Sequence, residues 1–184
     1  MARLPFVDPE TAPEPIREAL SQLPPLNIFK MMAHAETCMR PALSLGGAIL
    51  SKQELGARER ELLILHAAKL EGGEYEWIQH VPIALAAGAS QAQIDALDAG
   101  DLTADCYDER DRALLAFSKQ VIENVRVDDA IFAAAKSHFS EREIVESILT
   151  IGFYMMMARL TEATETDLDE AAGNVVIDNL KAET

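Results

Sequence analysis

The chain has little cysteine, little aromatic surface and a shortage of positive charge. Its two cysteines, Cys38 and Cys106, stand far apart and in no recurring pattern, which excludes a disulfide framework or a cysteine-built zinc site. A reducing compartment is therefore the simpler expectation. Sixteen Lys and Arg face 31 Asp and Glu, a formal net charge of −15. That balance argues against nucleic acid or an anionic membrane as a partner, since both need a positive surface. It also disfavours anionic ligands at long range, so a carboxylate-bearing substrate would need a locally basic pocket. No repeat, glycine-rich phosphate loop or strand-like alternation stands out. Residues 1–13 lack the apolar core of a signal peptide, and their prolines and acids read as an extended arm. The most apolar stretch, Ile144 to Leu160, is broken by Glu146 and closed by Arg159, so it reads as a buried helix rather than a membrane span. These features point to a cytoplasmic protein that handles a small molecule.

What is present is a succession of helices. Apolar residues make up 49% of the 184 positions, enough for one domain with a sizeable core. A short helix is predicted from Glu14 to Gln22, closed by Pro24-Pro25, and an apolar turn or helix from Asn27 to Ala35. Pro41 suits the first position of a helix running to Ser51, where its missing N–H is not needed. Mixed three- and four-residue apolar spacing predicts a largely buried helix from Ala57 to Glu71, stopped at Gly72-Gly73. A further helix restarts at Glu74. Ser90 with Gln93, and Ser140 with Glu143, read as capping boxes, and Asp108 and Asp128 as N-caps. They open helices reaching Ala99, Leu160, Asn124 and Phe139 respectively. The acidic run Glu162 to Glu170 reads as a solvated loop or frayed helix end, and Asn174 to Leu180 fits no single pattern. The result is an all-α domain of seven to nine helices over residues 14–170, with a tail at 171–184.

The candidate chemistry lies between Glu61 and His80. Glu76 and His80 stand at i and i+4, on one helix face, where a carboxylate can fix the imidazole's tautomer and raise its pKa. Pro82 frees the Ile78 carbonyl nearby and should kink the helix. One Glu–His pair alone is more often simply solvated. Trp77 suits a core or interface anchor better than a substrate platform, and the Tyr75 hydroxyl could donate to a substrate or to water. Arg159 could hold a substrate carboxylate bidentately, against the commoner alternative of an ion pair with one of the many acids. Arg58 and Arg60 read as ion-pair partners, and Met155 to Met157 as adaptable packing.

Glu61, the string Glu74-Tyr75-Glu76-Trp77-x-x-His80 and the helix end at Ala87-Gly88 resemble the carboxymuconolactone decarboxylase family. So do Asn27-x-Phe29-x-Met31 before them and Thr150 to Tyr154 with Ala158-Arg159 after them. The resemblance spans roughly residues 15–170 and implies the AhpD-like helical bundle shared with the alkyl hydroperoxidase D proteins. His80 matches the histidine of that superfamily's proton relay and Glu61 its glutamate. The two cysteines of the peroxidase branch fall on Gly73 and Glu76, so the thiols that disulfide exchange needs are missing. His66 stands where the decarboxylase branch would have arginine, and it would bear on substrate choice or face a neighbouring helix. The resemblance thus implies a cofactor-free, metal-free decarboxylase-type lyase acting on a small carboxylated lactone or aromatic-catabolism intermediate. His80 would be the acid/base, with Glu76 orienting it and Glu61 completing the relay. Tyr75, Trp77, His66, Tyr154 and Arg159 would contact substrate. It also implies a homo-oligomer, whether dimer, trimer or hexamer. The alternatives are a hydroperoxidase- or peroxiredoxin-like oxidoreductase and a non-catalytic small-molecule binder.

Overall fold

Four consecutive apolar residues on a helix cover every side of it, so such a helix must be enclosed by others. Leu62, Leu63, Ile64 and Leu65 are that run, and all four are fully buried. The computed structural model describes residues 1–173, which form nine α-helices and no strand. They are α1 (Glu14–Ser21), α2 (Asn27–Met32), α3 (Glu36–Lys52), α4 (Ala57–Glu71), α5 (Glu74–Ala86), α6 (Gln91–Ala99), α7 (Glu109–Asn124), α8 (Asp129–His138) and α9 (Glu141–Thr164). The domain is all-α, with α4 in the middle, enclosed by α5, α6, α7 and α9. Each fully buried Leu or Ile of α4 contributes on the order of 2 kcal/mol through removal from water.

Two features fix α5 against α4. Gly72 ends α4 in the left-handed region, at φ 71°, which lets the chain reverse within two residues. Gly73 then permits close approach to α9: a Cβ there would lie 2.8 Å from the Ala158 Cβ and 2.8 Å from a Glu76 carboxylate oxygen. α9 is long and apolar enough to cross a membrane by length and composition. Here it packs across α4, α5 and α7, burying Ile144, Ile151, Tyr154, Met157 and Ala158.

Several boundaries differ from the sequence expectation. α3 begins at Glu36, so Pro41 lies inside it rather than at its first position. The extra turn buries Met39 completely against the cluster of α1 and α2, and that burial outweighs the one backbone donor lost at Pro41. Asp128 occupies the N-cap position of α8 but makes no cap bond. Its carboxylate instead accepts from the Gln120 amide at 2.9 Å. α9 runs one turn past Leu160. The N-terminal arm is docked, with the Arg3 N–H donating to the Thr164 carbonyl at 2.7 Å and Ala12 buried. It is not extended throughout: the Thr11 and Ala12 N–H groups both donate to the Asp8 carbonyl in a turn. The ambiguous stretch 174–180 lies outside the described residues.

Candidate active site

His80 lies on α5, directly over the buried part of α4, and its Nδ1 is 2.8 Å from Glu61 Oε2. An ionised carboxylate only accepts, so Nδ1 carries the hydrogen and Nε2 is left with its lone pair. The other Glu61 oxygen accepts from Arg60 Nε at 3.1 Å, and all three side chains are buried. The guanidinium supplies the countercharge that a fully buried carboxylate needs. Nε2 makes no hydrogen bond among the described residues, yet none of their buried polar side-chain atoms lacks a partner. Nε2 therefore borders open space. That space is a cavity of about 100 Å³.

Its walls come from four elements. The end of the loop before α2 and α2 itself supply Leu26, Ile28 and Phe29, α3 supplies Leu50, and α9 supplies Phe153, Tyr154 and Met157. α5 supplies Tyr75, Glu76, Gln79, His80 and Ile83. The Tyr154 ring stands edge-on to the His80 imidazole, centroids 4.8 Å apart at 87°. Burial, then the nearby charge of Glu61, holds the Tyr154 phenol well above its usual range, so it stays an O–H donor. Its hydroxyl also makes no hydrogen bond among the described residues.

Glu76 faces the same cavity but does not orient His80, which corrects the reading from their spacing. Its oxygens lie 3.2 and 3.1 Å from the Thr161 hydroxyl on α9. The i, i+4 register puts both groups on one face, and Glu61, reaching across from α4, has the better line to Nδ1. Burial raises the Glu76 carboxyl above its ordinary value, opposed by its own backbone N–H, Thr161 and His80.

Three other expected substrate contacts lie elsewhere. Trp77 turns away to the cluster of Leu62, Leu65 and Ala84, with Lys69 Nζ 5.9 Å from its ring. His66 is buried against α7, its Nδ1 2.9 Å from Ser118 Oγ. Arg159 is exposed and pairs with Glu71 at 2.9 Å. Cys38 is exposed, Cys106 half-buried, and neither lines the cavity. Among the described residues no three His, Cys, Asp or Glu are grouped to hold a metal ion.

One part of the site escaped the sequence reading. The segment after α9 is largely exposed, as its composition predicts, but it is also tied to the cavity wall around Asp169. The Tyr75 hydroxyl donates to Asp169 Oδ2 at 2.5 Å, and the same oxygen accepts the Asn27 N–H at 2.6 Å. The Gln79 amide donates to the Asp169 and Glu170 carbonyls and accepts from the Ala172 N–H. Gln79, flanked by apolar Ile78 and catalytic-candidate His80, was the available signal.

Fold and site together define a small helical protein whose buried Glu–His pair, held on a helical hairpin, opens onto an apolar cavity. Residues 38–120 match the carboxymuconolactone decarboxylase family. The all-helical fold is similar to that of AhpD-like proteins. An uncharacterized peroxidase-related protein from Ralstonia eutropha JMP134, with an AhpD core, is 21% identical, with TM-score 0.80 over 91% of this chain and 92% of that one. A peroxidase-related protein from Silicibacter sp. TM1040 is 18% identical, with TM-score 0.77 over the same shares, 91% and 92%. The debrominase Bmp8, in complex with 2,3,4-tribromopyrrole, is 17% identical, with TM-score 0.73 over 100% of this chain and 99% of that one. At such identities the likeness is one of fold. No curated protein matches the sequence.

Proposed function

We propose that the chain is an acid–base enzyme of the carboxymuconolactone decarboxylase kind, moving a proton at carbon on a small lactone or related ring intermediate without a cofactor. The observation that carries this reading is the Glu61–His80 pair, whose free Nε2 opens on the cavity. Nε2 takes the proton, Glu61 stabilises the imidazolium so formed, and the same nitrogen returns the proton to carbon. The Tyr154 O–H and the Glu76 carboxyl are placed in the wall as donors to the enolate oxygen that develops. A positioned imidazole is worth about 10²–10⁴ in rate. The test is His80→Asn, with turnover and deuterium uptake at carbon followed by NMR over a panel of small lactones that includes carboxymuconolactone. Loss of about 100-fold or more is expected, and undiminished exchange would remove His80 from the chemistry.

A hydroperoxidase-like route would need thiols where Gly73 and Glu76 stand. Cys38 and Cys106 lie off the cavity, and we assign them no part. The Cys38→Ala/Cys106→Ala double variant should keep full turnover.

A further inference from the structure

We propose that the cavity takes its ligand uncharged: a small neutral ring carbonyl compound, such as an unsubstituted lactone, whose oxygen meets the Glu76 carboxyl group. The proposal rests on reading the His80 cavity as the substrate site, and it departs from the carboxylated lactone that the resemblance implies. A ligand without a carboxylate has no CO2 to lose, which leaves proton transfer at carbon as the chemistry of the site.

A buried carboxylate ligand needs a cation. Among the described residues no Lys or Arg lines the cavity. The arginines nearest to it in the sequence are committed to acids. Arg60 is turned to Glu61, and Arg58 holds both oxygens of Asp111 at 2.9 and 2.8 Å. Arg159 pairs with Glu71 on the surface. The neutral His80, its Nδ1–H given to Glu61 at 2.8 Å, brings no cation to the wall. The chain as a whole, at −15, repels anions as well.

The titratable groups facing the cavity are Tyr75, Glu76, His80 and Tyr154, with Asp169 behind Tyr75 and Glu162 near Glu76. Among the described residues Glu76 is the one acid in the wall, and its side-chain partner there is a single hydroxyl. Thr161 Oγ1 lies within 3.2 Å of both Glu76 oxygens and of the Met157 and Ala158 carbonyls, yet has one proton to give. An ionised Glu76 would compete for it with two backbone acceptors and would repel any anion beside it. A neutral Glu76 donates a hydrogen bond, which a carbonyl oxygen accepts, and its burial favours that form. Seven of the twelve lining residues are apolar, and a cavity of about 100 Å³ holds roughly one small ring.

Benzamide and benzoate are nearly the same shape and differ in charge, so their binding near neutral pH, measured by titration calorimetry, tests the proposal. Benzamide should bind at least about tenfold more tightly. Glu76→Gln, which keeps a neutral donor, should leave that preference within about threefold. Benzoate binding as tightly as benzamide, or saturable binding of neither, overturns the proposal. So does a rise of about tenfold in benzoate affinity in Glu76→Gln, because it would mean that Glu76 is ionised in the cavity. His80→Asn separates this from the acid–base reading. If turnover survives that change while the benzamide preference holds, the catalytic assignment fails and the ligand class stands.

Discussion

Acidification should destabilise this protein through His66, a residue that the fold removes from the site. His66 is buried on α4 against Ser118. Burial, then the charge of Lys119, pushes its pKa down to about 4, with Glu123 pulling the other way. In the unfolded chain the same imidazole titrates near 6.5. Below that value the unfolded state takes up a proton that the folded state refuses until about pH 4, so folding stability falls as pH falls through that window and is fully present above it. The gap between about 6.5 and about 4 corresponds to about 3 kcal/mol over the whole window, of which about 2 kcal/mol is lost between pH 7 and pH 5. His66→Gln retains a hydrogen-bonding side chain and does not titrate. Urea denaturation of both proteins at the two pH values gives a double difference in which other titrating groups cancel. The native protein should lose about 2 kcal/mol more than the variant. Equal losses would mean that His66 is hydrated or protonated in the folded state. Altered benzamide binding in His66→Gln would return His66 to the cavity.

Glu61→Gln removes the countercharge of a buried guanidinium and the acceptor that fixes the His80 tautomer. It should cost about 3–5 kcal/mol in denaturant and lower turnover about 100-fold. An unchanged ¹⁵N tautomer signature at His80 would contradict the pairing. Gly73→Ala forces a Cβ to within 2.8 Å of Ala158 Cβ and Glu76 Oε2. A loss of about 1–3 kcal/mol is expected, and a variant as stable as the parent would show that α5 and α9 can part without cost. Val145, Ile148, Leu149 and Met156 form an exposed apolar stripe on α9, which we propose as the surface of the expected homo-oligomer. Leu149→Glu should then reduce the mass seen by light scattering, whereas a monomeric parent protein would end that reading.

The helix ends that were legible in the sequence are those whose stabilising bonds are local. Ser90 and Ser140 each exchange bonds with a residue three positions on, as the pattern predicts, and Gly72 stops α4 by its own backbone freedom. Asp108 also caps locally, accepting from the Asp111 N–H. Asp128 has the same residue type in the same position, but Gln120, eight residues back, claims its carboxylate. The start of α3 was misplaced for a similar reason. Pro41 is a strong local signal, and the burial of Met39 among α1 and α2 residues overrides it. The acidic run after α9 was the hardest case. Its composition reads as solvated, and only the approach of Tyr75, Gln79 and Asn27 turns Asp169 into a tie between α5 and α2.

The same distinction governs the site. Spacing correctly put Glu76 and His80 on one face, but sharing a face does not settle which acid holds the imidazole. Glu61 does, from nineteen residues away, and only the reversal at Gly72-Gly73 brings it there. The arginines follow from charge balance more than from geometry. With 31 acids for 16 bases, an arginine meets a carboxylate of its own chain before it meets a ligand's. Arg58, Arg60 and Arg159 all do so. The acidic excess that disfavours anions at long range thus also uses up the cations that could have recognised one at short range. What remains in the wall is an imidazole backed by a carboxylate, two phenols, an amide and one buried acid. Such a wall can move a proton on a neutral ring, and it offers a carboxylate no uncompensated cation.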